Sequence, residues 1–367
     1  MFVSHSFGYA DFISYGYASC MTCHYNGQGG GPLNDYGRAL FSAEIASRAF
    51  YDPQKTDEQI AEESGFLGKT KLPWWFRPGI KYRGLWFQTD PGTSEAKSRY
   101  ITMQADANLA LLFDQDQKFI FVGSYGYLPA SGPGEKPDWI SREHYFRWGV
   151  KDNLFAYVGL MDKVFGIRTV DHTSYSRSKT ELAQNDQSDG VLIQWMPQPM
   201  EYNLQVFIGN LSQQQDLRQK GVSFMAENDL NQFHRVGGAI LYSKNDYLSY
   251  KMAEVHSKWG YGKGQSFLSE LGYIGKTATG HKTDGAYVML ENLSLLKRGY
   301  NLLSQVEYYN ETMTKSSPDL LKWSFGFLMF PAPRVELRAG VVNERSMTET
   351  GVKPDHWSIQ GQAHLSL

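Results

Sequence analysis

The chain ends in an alternation with a period of two residues. Trp357, Ile359, Gly361, Ala363, Leu365 and Leu367 are small or apolar, and Ser358, Gln360, Gln362, His364 and Ser366 between them are polar. Successive side chains of a β-strand point to opposite faces, so this segment offers one face to an apolar phase and the other to water. Ile101, Met103, Ala105, Ala107, Leu109 and Leu111 repeat the pattern against Gln104, Asp106 and Asn108. From Trp74 onward such runs follow one another with no helical period between them, at 80–88, 99–114, 118–128, 142–150, 152–160, 188–197, 201–210, 220–228, 233–244, 247–258, 264–276, 283–294, 299–310, 319–330, 333–345 and 355–367. One alternating strand is an ordinary half-buried strand. Sixteen in succession, an even number, predict an all-β fold: a closed transmembrane antiparallel β-barrel, apolar outside and polar inside.

Composition supports this reading. Aromatic residues make up 14 % (23 Tyr, 21 Phe, 9 Trp), enough for girdles at two membrane interfaces, although mean hydropathy is only −0.44. The longest apolar runs, such as 109–113, fall far short of the roughly 20 residues of a spanning helix. The 36 Lys and Arg nearly balance the 38 Asp and Glu, which argues against nucleic acid as a partner. The connections 114–118, 151–153, 198–200 and 331–334 are short, as periplasmic turns are, and 129–141 and 161–187 are longer, as external loops are. Lys81, Arg83, Gln104, Asp106 and Asn108 have the parity of a polar lumen.

Two cysteines exist, in Cys20-Met21-Thr22-Cys23-His24. Two are too few for a disulfide framework, and no second pair completes a structural zinc site. Cys-x-x-Cys-His is the attachment sequence of c-type haem: two thiols reach one porphyrin edge and the adjacent imidazole binds the iron. Cys20, Cys23 and His24 are therefore the expected binding residues for one covalent haem c, with His24 the proximal ligand; a free or disulfide-bonded pair is the bland alternative. Residues 1–10 read as a signal-peptide remnant or a disordered start, residues 11–72 as a small helical haem module or plug, and 73–367 as the barrel. Asn34 is placed as an N-cap, Tyr36, Leu40, Ala43 and Ala46 share a helical face, and Thr56 to Gln59 forms a capping box. Tyr25 and Tyr36 are expected to pack on the haem.

Residues 25–78 contain neither Met nor His, so the module itself offers no usual sixth ligand after the motif. Met1 or His5 could reach back, the iron could keep an open site, or a barrel residue could enter. His172, in the long loop 161–187, and His364, on the polar face of the final strand, are the candidate distal ligands. His144, His234, His256, His281 and His356 have weaker cases, and Met103 belongs to the lipid face.

Through Cys20 to Asn26 and Pro32-Leu33-Asn34-Asp35-Tyr36-Gly37-Arg38, the chain resembles bacterial outer-membrane β-barrel (porin-like) proteins with an N-terminal single-haem c-type cytochrome segment. The resemblance implies the outer membrane of a Gram-negative bacterium, with the module in the periplasm or lumen, and a third loop folded into the channel. It is similar in plan to porin–cytochrome conduits, but those use many haems in a separate, larger barrel. One haem cannot bridge a hydrocarbon core of roughly 30 Å. Three functions are open at this point. The chain passes electrons at the periplasmic side or in the lumen, with periplasmic or extracellular redox partners. Alternatively, it is a porin-type channel for small solutes with the module as plug or redox gate, or an open-site haem that handles a gas or peroxide. An electron carrier or channel is expected rather than an enzyme.

Overall fold

The computed structural model describes residues 10–66, 68, 71–130, 136–169, 171, 173–313, 318–348, 351–352 and 354–366. The strands are β1 (Phe76–Thr89), β2 (Lys97–Leu112), β3 (Phe119–Leu128), β4 (Asp138–Lys151), β5 (Leu154–Met161), β6 (Ser188–Trp195), β7 (Met200–Gly209), β8 (Lys220–Asn231), β9 (His234–Lys244), β10 (Leu248–Gly262), β11 (Gln265–Ala278), β12 (His281–Lys297), β13 (Tyr300–Asn310), β14 (Asp319–Ala332), β15 (Val335–Thr348), the two-residue β16 (Gly351–Val352) and β17 (His356–Ser366). Apart from β16, which only extends the hairpin between β15 and β17, each corresponds to one alternating run of the sequence. Every neighbour is antiparallel, and β1 pairs with β2 on one side and β17 on the other. The sheet thus closes as a sixteen-stranded barrel and leaves no edge with unpaired backbone groups, which a bilayer demands.

Parity sets the two faces. Val158, Ile193, Val206, Ile240, Val255 and Leu271 point out and are exposed. Outward aromatics gather at two levels. Trp75, Phe119, Trp148, Trp195 and Trp259 lie near the short turns, and Trp86, Tyr100, Tyr125, Trp139 and Tyr242 near the opposite rim. Phe119 stacks on Trp148 with ring centroids 5.9 Å apart, and Tyr125 on Trp139 at 6.0 Å. These are the girdles that 14 % aromatic residues foretold. No helix among the described residues is long and apolar enough to cross a membrane.

The turns at 113–118, 152–153, 196–199, 232–233, 263–264, 298–299 and 333–334 share one end of the barrel with the start of β1 and the end of β17. The other end carries the longer connections, although 245–247 and 279–280 there are short, against the expected alternation.

Residues 10–46 pack against inward-facing barrel side chains, and 47–66 sit at the short-turn mouth, much of it exposed. Asn34 caps α1 (Asp35–Leu40) by accepting from the Gly37 N–H at 2.8 Å, and a wider π-type turn, Phe41–Ile45, carries the expected helical face on. Thr56 and Gln59 close the expected capping box on α2 (Asp57–Glu62). Phe12, Cys23, Ile45 and Ala46 pack against the barrel's Leu293, Leu328 and Phe330. Cations at the short-turn end bind backbone carbonyls across the junction: Arg298 donates to Ala46 O (2.8 Å), Arg334 to Ser64 O (2.8 Å) and Arg38, from the segment, to Pro78 O (2.9 Å). The 162–187 loop enters from the opposite end, as the resemblance implied. Its Val164 N–H donates to Gln205 (2.8 Å), its Ile167 N–H to Glu270 (2.6 Å), and the Tyr175 N–H, opening α3 (Tyr175–Ser178), to Glu307 (2.6 Å).

Candidate functional site

The Cys20–His24 pentapeptide forms one tight helical turn, in which the Cys23 and His24 N–H groups both donate to Cys20 O, at 3.3 and 3.1 Å. Three neighbours fix it in place. Asn34 N–H donates to Cys23 O at 2.8 Å, and Asn34 Nδ2 donates to Thr22 O at 2.6 Å, so one residue caps α1 and ties down the motif. Gly37 passes so close that a Cβ there would lie 2.6 Å from Cys23 O, a contact only glycine avoids. His24 bridges back to Leu33 across the loop between them. That loop turns through Gly29, Gly30 and Gly31 at φ of +80°, +73° and +60°. Barrel side chains grip its backbone: Lys81 on Gly31 O, Arg168 on Gly29 O, and Arg147 on Tyr25 O at 3.3 Å.

Cys23 and His24 line a large cavity between the segment and the wall formed by β15, β17 and β1 to β4. It holds about 1880 Å³ of empty space, part of it open to solvent. Lys81, Arg83, Gln104, Asp106 and Asn108, assigned to the lumen by parity, all line it, as do Arg168, Arg177 and His364. Cys20, one turn earlier, opens instead on a smaller cavity with Glu201, Glu227, Arg235 and Lys258. Cys20 and Cys23 stand as two thiols, not as a disulfide. Burial pushes the Cys20 thiol up to about 11 and Cys23 higher still, so neither ionises near neutrality. Burial, with Lys81 and Arg168 close by, holds His24 down to about 3, a neutral imidazole. Its Nδ1 is buried without a hydrogen-bond partner among the described residues.

His364 faces the same cavity from β17. Its Nδ1 donates to Glu336 Oε2 at 3.3 Å, and its Nε2 is buried and has no hydrogen-bond partner among the described residues. The strand register sets Glu336 and Arg83 on either side of it. His172 and the alternatives Met1 and His5 lie outside the described residues. Tyr25 is buried, and Tyr36 is 46 % exposed on α1, beside Tyr17 and Cys23.

The opposite wall carries a network that the sequence did not single out. Arg235 bonds Glu227 (2.9 Å), Glu201 (3.1 Å) and Asp229 (2.5 Å), and His256 sits between Glu227 and Glu254, 2.9 Å from each. No group of three or more His, Cys, Asp or Glu among the described residues is arranged to hold a metal ion.

No sequence family matches the chain, and no curated protein does. Solved structures do. The chain is similar to the outer-membrane protein OmpT of Vibrio cholerae, with a TM-score of 0.61 at 10 % identity over 81 % of this chain and 99 % of that one. The outer membrane channel DcaP of Acinetobacter baumannii gives 0.58 at 9 % over 80 % and 97 %, and an anion-selective porin from Comamonas acidovorans gives 0.57 at 7 % over 80 % and 99 %. These likenesses establish the porin-type barrel fold. The span Phe76–Ser366 is 291 of 367 residues, or 79 %, close to the share of the chain that these matches cover.

Proposed function

We propose that the chain is an outer-membrane barrel of a Gram-negative bacterium that carries one haem c in its lumen and passes electrons to and from partner redox proteins. The observation that carries this reading is the tight Cys20–His24 turn that sets Cys23 and His24 on a large lumen cavity, with the buried Nδ1 of His24 without a hydrogen-bond partner among the described residues. Cys23 and His24 fit the group on the large cavity, and Cys20, which opens on the smaller one, would join it from the other side of the same turn. The motif forms a single turn, Cys23 sits in an apolar cluster suited to a porphyrin edge, and Arg83 on the cavity wall suits its carboxylates. Bound there, the haem supplies a one-electron iron couple. The chain's own residues do the rest. Asn34 and Gly37 fix the motif turn, Arg298 and Arg334 hold the segment at the short-turn mouth, and the 162–187 loop limits access from the other side. Co-expression with c-type maturation machinery, followed by intact mass and a reduced-minus-oxidised spectrum, tests the reading. One haem mass and c-type bands are expected; an unmodified mass ends it.

A second reading, a channel for small solutes, is favoured by the likeness to solved structures described as an outer membrane channel and an anion-selective porin. On that reading residues 10–66 are a plug. Planar-bilayer conductance of the full chain and of a form lacking residues 11–72 separates the two. A closed full-length barrel that opens on deletion supports the plug, and silence from both forms excludes a channel.

A further inference from the structure

We infer that His364 is the distal ligand of the haem iron, held in place by Glu336. The inference rests on the haem reading above and adds a ligand that comes from the barrel. Its basis is the chemistry of the cavity. Among the described residues that line it, no Met or Tyr is present, and the nitrogen and sulfur groups able to ligate haem iron are His24, Cys23, Lys81 and His364; the carboxylates Asp106, Glu143, Asp162 and Glu336 are engaged by Arg142, Asn26, Arg168 and Arg338. His24 and Cys23 belong to the attachment motif, and Lys81 is engaged with Gly31 O. His364 remains, and its condition suits a ligand. Its side chain is 13 % exposed, its Nδ1–H is given to the Glu336 carboxylate at 3.3 Å, and its Nε2 is buried with no hydrogen-bond partner among the described residues. Burying a polar nitrogen unpaired is costly. Metal-ligating histidines commonly give their second N–H to a carboxylate, which fixes the tautomer and the ring.

The neighbouring positions agree. Glu336, His364, Arg83 and Gln104 form one row across β15, β17, β1 and β2, and all four face the cavity. Arg83 Nε is itself buried without a hydrogen-bond partner among the described residues, and its guanidinium would suit an anionic porphyrin carboxylate. Glu336 is a positioning residue: it touches the imidazole and not the iron. A second histidine ligand also removes the vacant coordination site that a gas or peroxide reading needs.

The test uses the full chain matured with haem. Intact mass comes first: wild-type protein without a haem adduct defeats the haem reading itself, and the distal ligand falls with it. With haem attached, wild type is expected to be low-spin and six-coordinate. His364→Ala is expected to keep its haem mass but turn high-spin, and added imidazole should restore the low-spin spectrum. His364→Met is expected to stay low-spin, gain a sulfur-to-iron charge-transfer band and show a higher reduction potential, which keeps the test decisive if the alanine variant does not fold. Glu336→Gln, which weakens the push of the carboxylate on the ring, should raise the potential while ligation persists. A low-spin spectrum unchanged in His364→Ala, or a high-spin wild type that does carry haem, overturns the inference and leaves the haem reading standing.

Discussion

The two walls of the lumen carry similar residues and treat them in opposite ways. On β7 to β10 the charges answer one another: Arg235 is shared by Glu201, Glu227 and Asp229, and His256 is clamped by two carboxylates. The Cys20 to Gln28 stretch touches this side at both ends, with Gln28 Nε2 donating to Asn203 at 2.9 Å and Cys20 lining a cavity with Glu201, Glu227 and Arg235. On β17 and β1, buried polar atoms of His364 and Arg83, two residues that line the large cavity, have no hydrogen-bond partner among the described residues. A wall whose buried charges are mutually satisfied is a support. A wall that keeps buried donors and acceptors waiting is built for something that arrives later.

Substitutions break or sharpen this contrast. The largest effect is expected from Arg235→Ala, which takes the shared cation from Glu201, Glu227 and Asp229; losing one partner of a buried charge network costs about 3–5 kcal/mol. Urea unfolding in detergent should show it, and a loss under about 1 kcal/mol would mean that this wall is not the support. Phe330→Ala removes a fully buried ring from the cluster under the segment and is expected to cost about 3–4 kcal/mol, read as faster proteolysis of residues 10–66 in the intact barrel. Gly37→Ala forces Cys23 and α1 apart and should cost about 1–3 kcal/mol, with a lower yield of haem attachment in the same preparation. Arg83→Gln, on the open wall, should stay within about 0.5–1 kcal/mol in stability yet shift the haem potential or the conductance.

The smallest effect concerns pH. Asp11 accepts from Ser266 at 2.7 Å beside Glu291, and burial raises its carboxyl above the ordinary 3.8. A raised folded value means that the folded state binds the proton more tightly. Its stabilising contribution is complete below 3.8 and fades as pH rises through the raised value. The segment should therefore resist proteolysis better as pH falls toward about 4, and Asp11→Asn should flatten that dependence. An unchanged slope would show that Asp11 does not report docking.

The barrel was legible because parity repeats: a one-residue slip would turn every strand inside out, so each alternating run carries its own register. The same parity placed Lys81, Arg83, Gln104, Asp106, Asn108 and His364 on the inner face, where they line one cavity. Even 220–228, a run rich in polar residues, is a full strand, β8. Local caps at Asn34 and Thr56 were readable for the same reason, since their bonds span three residues. Parity did not pick out the Arg235 and His256 network or Glu336. It marks a residue as inward but does not say which inward residues meet, because that depends on how β7 to β10, or β15 and β17, are staggered.

The row Glu336, His364, Arg83 and Gln104 crosses the seam where β17 meets β1. No part of the chain possesses that row until the cylinder has closed, since its members come from the first two and the last strands. Glu336 and His364 meet within the β15–β17 pair, but Arg83 and Gln104 join them only across the closed seam, so if the proposed haem binds against this row, its spectrum becomes a readout of finished assembly.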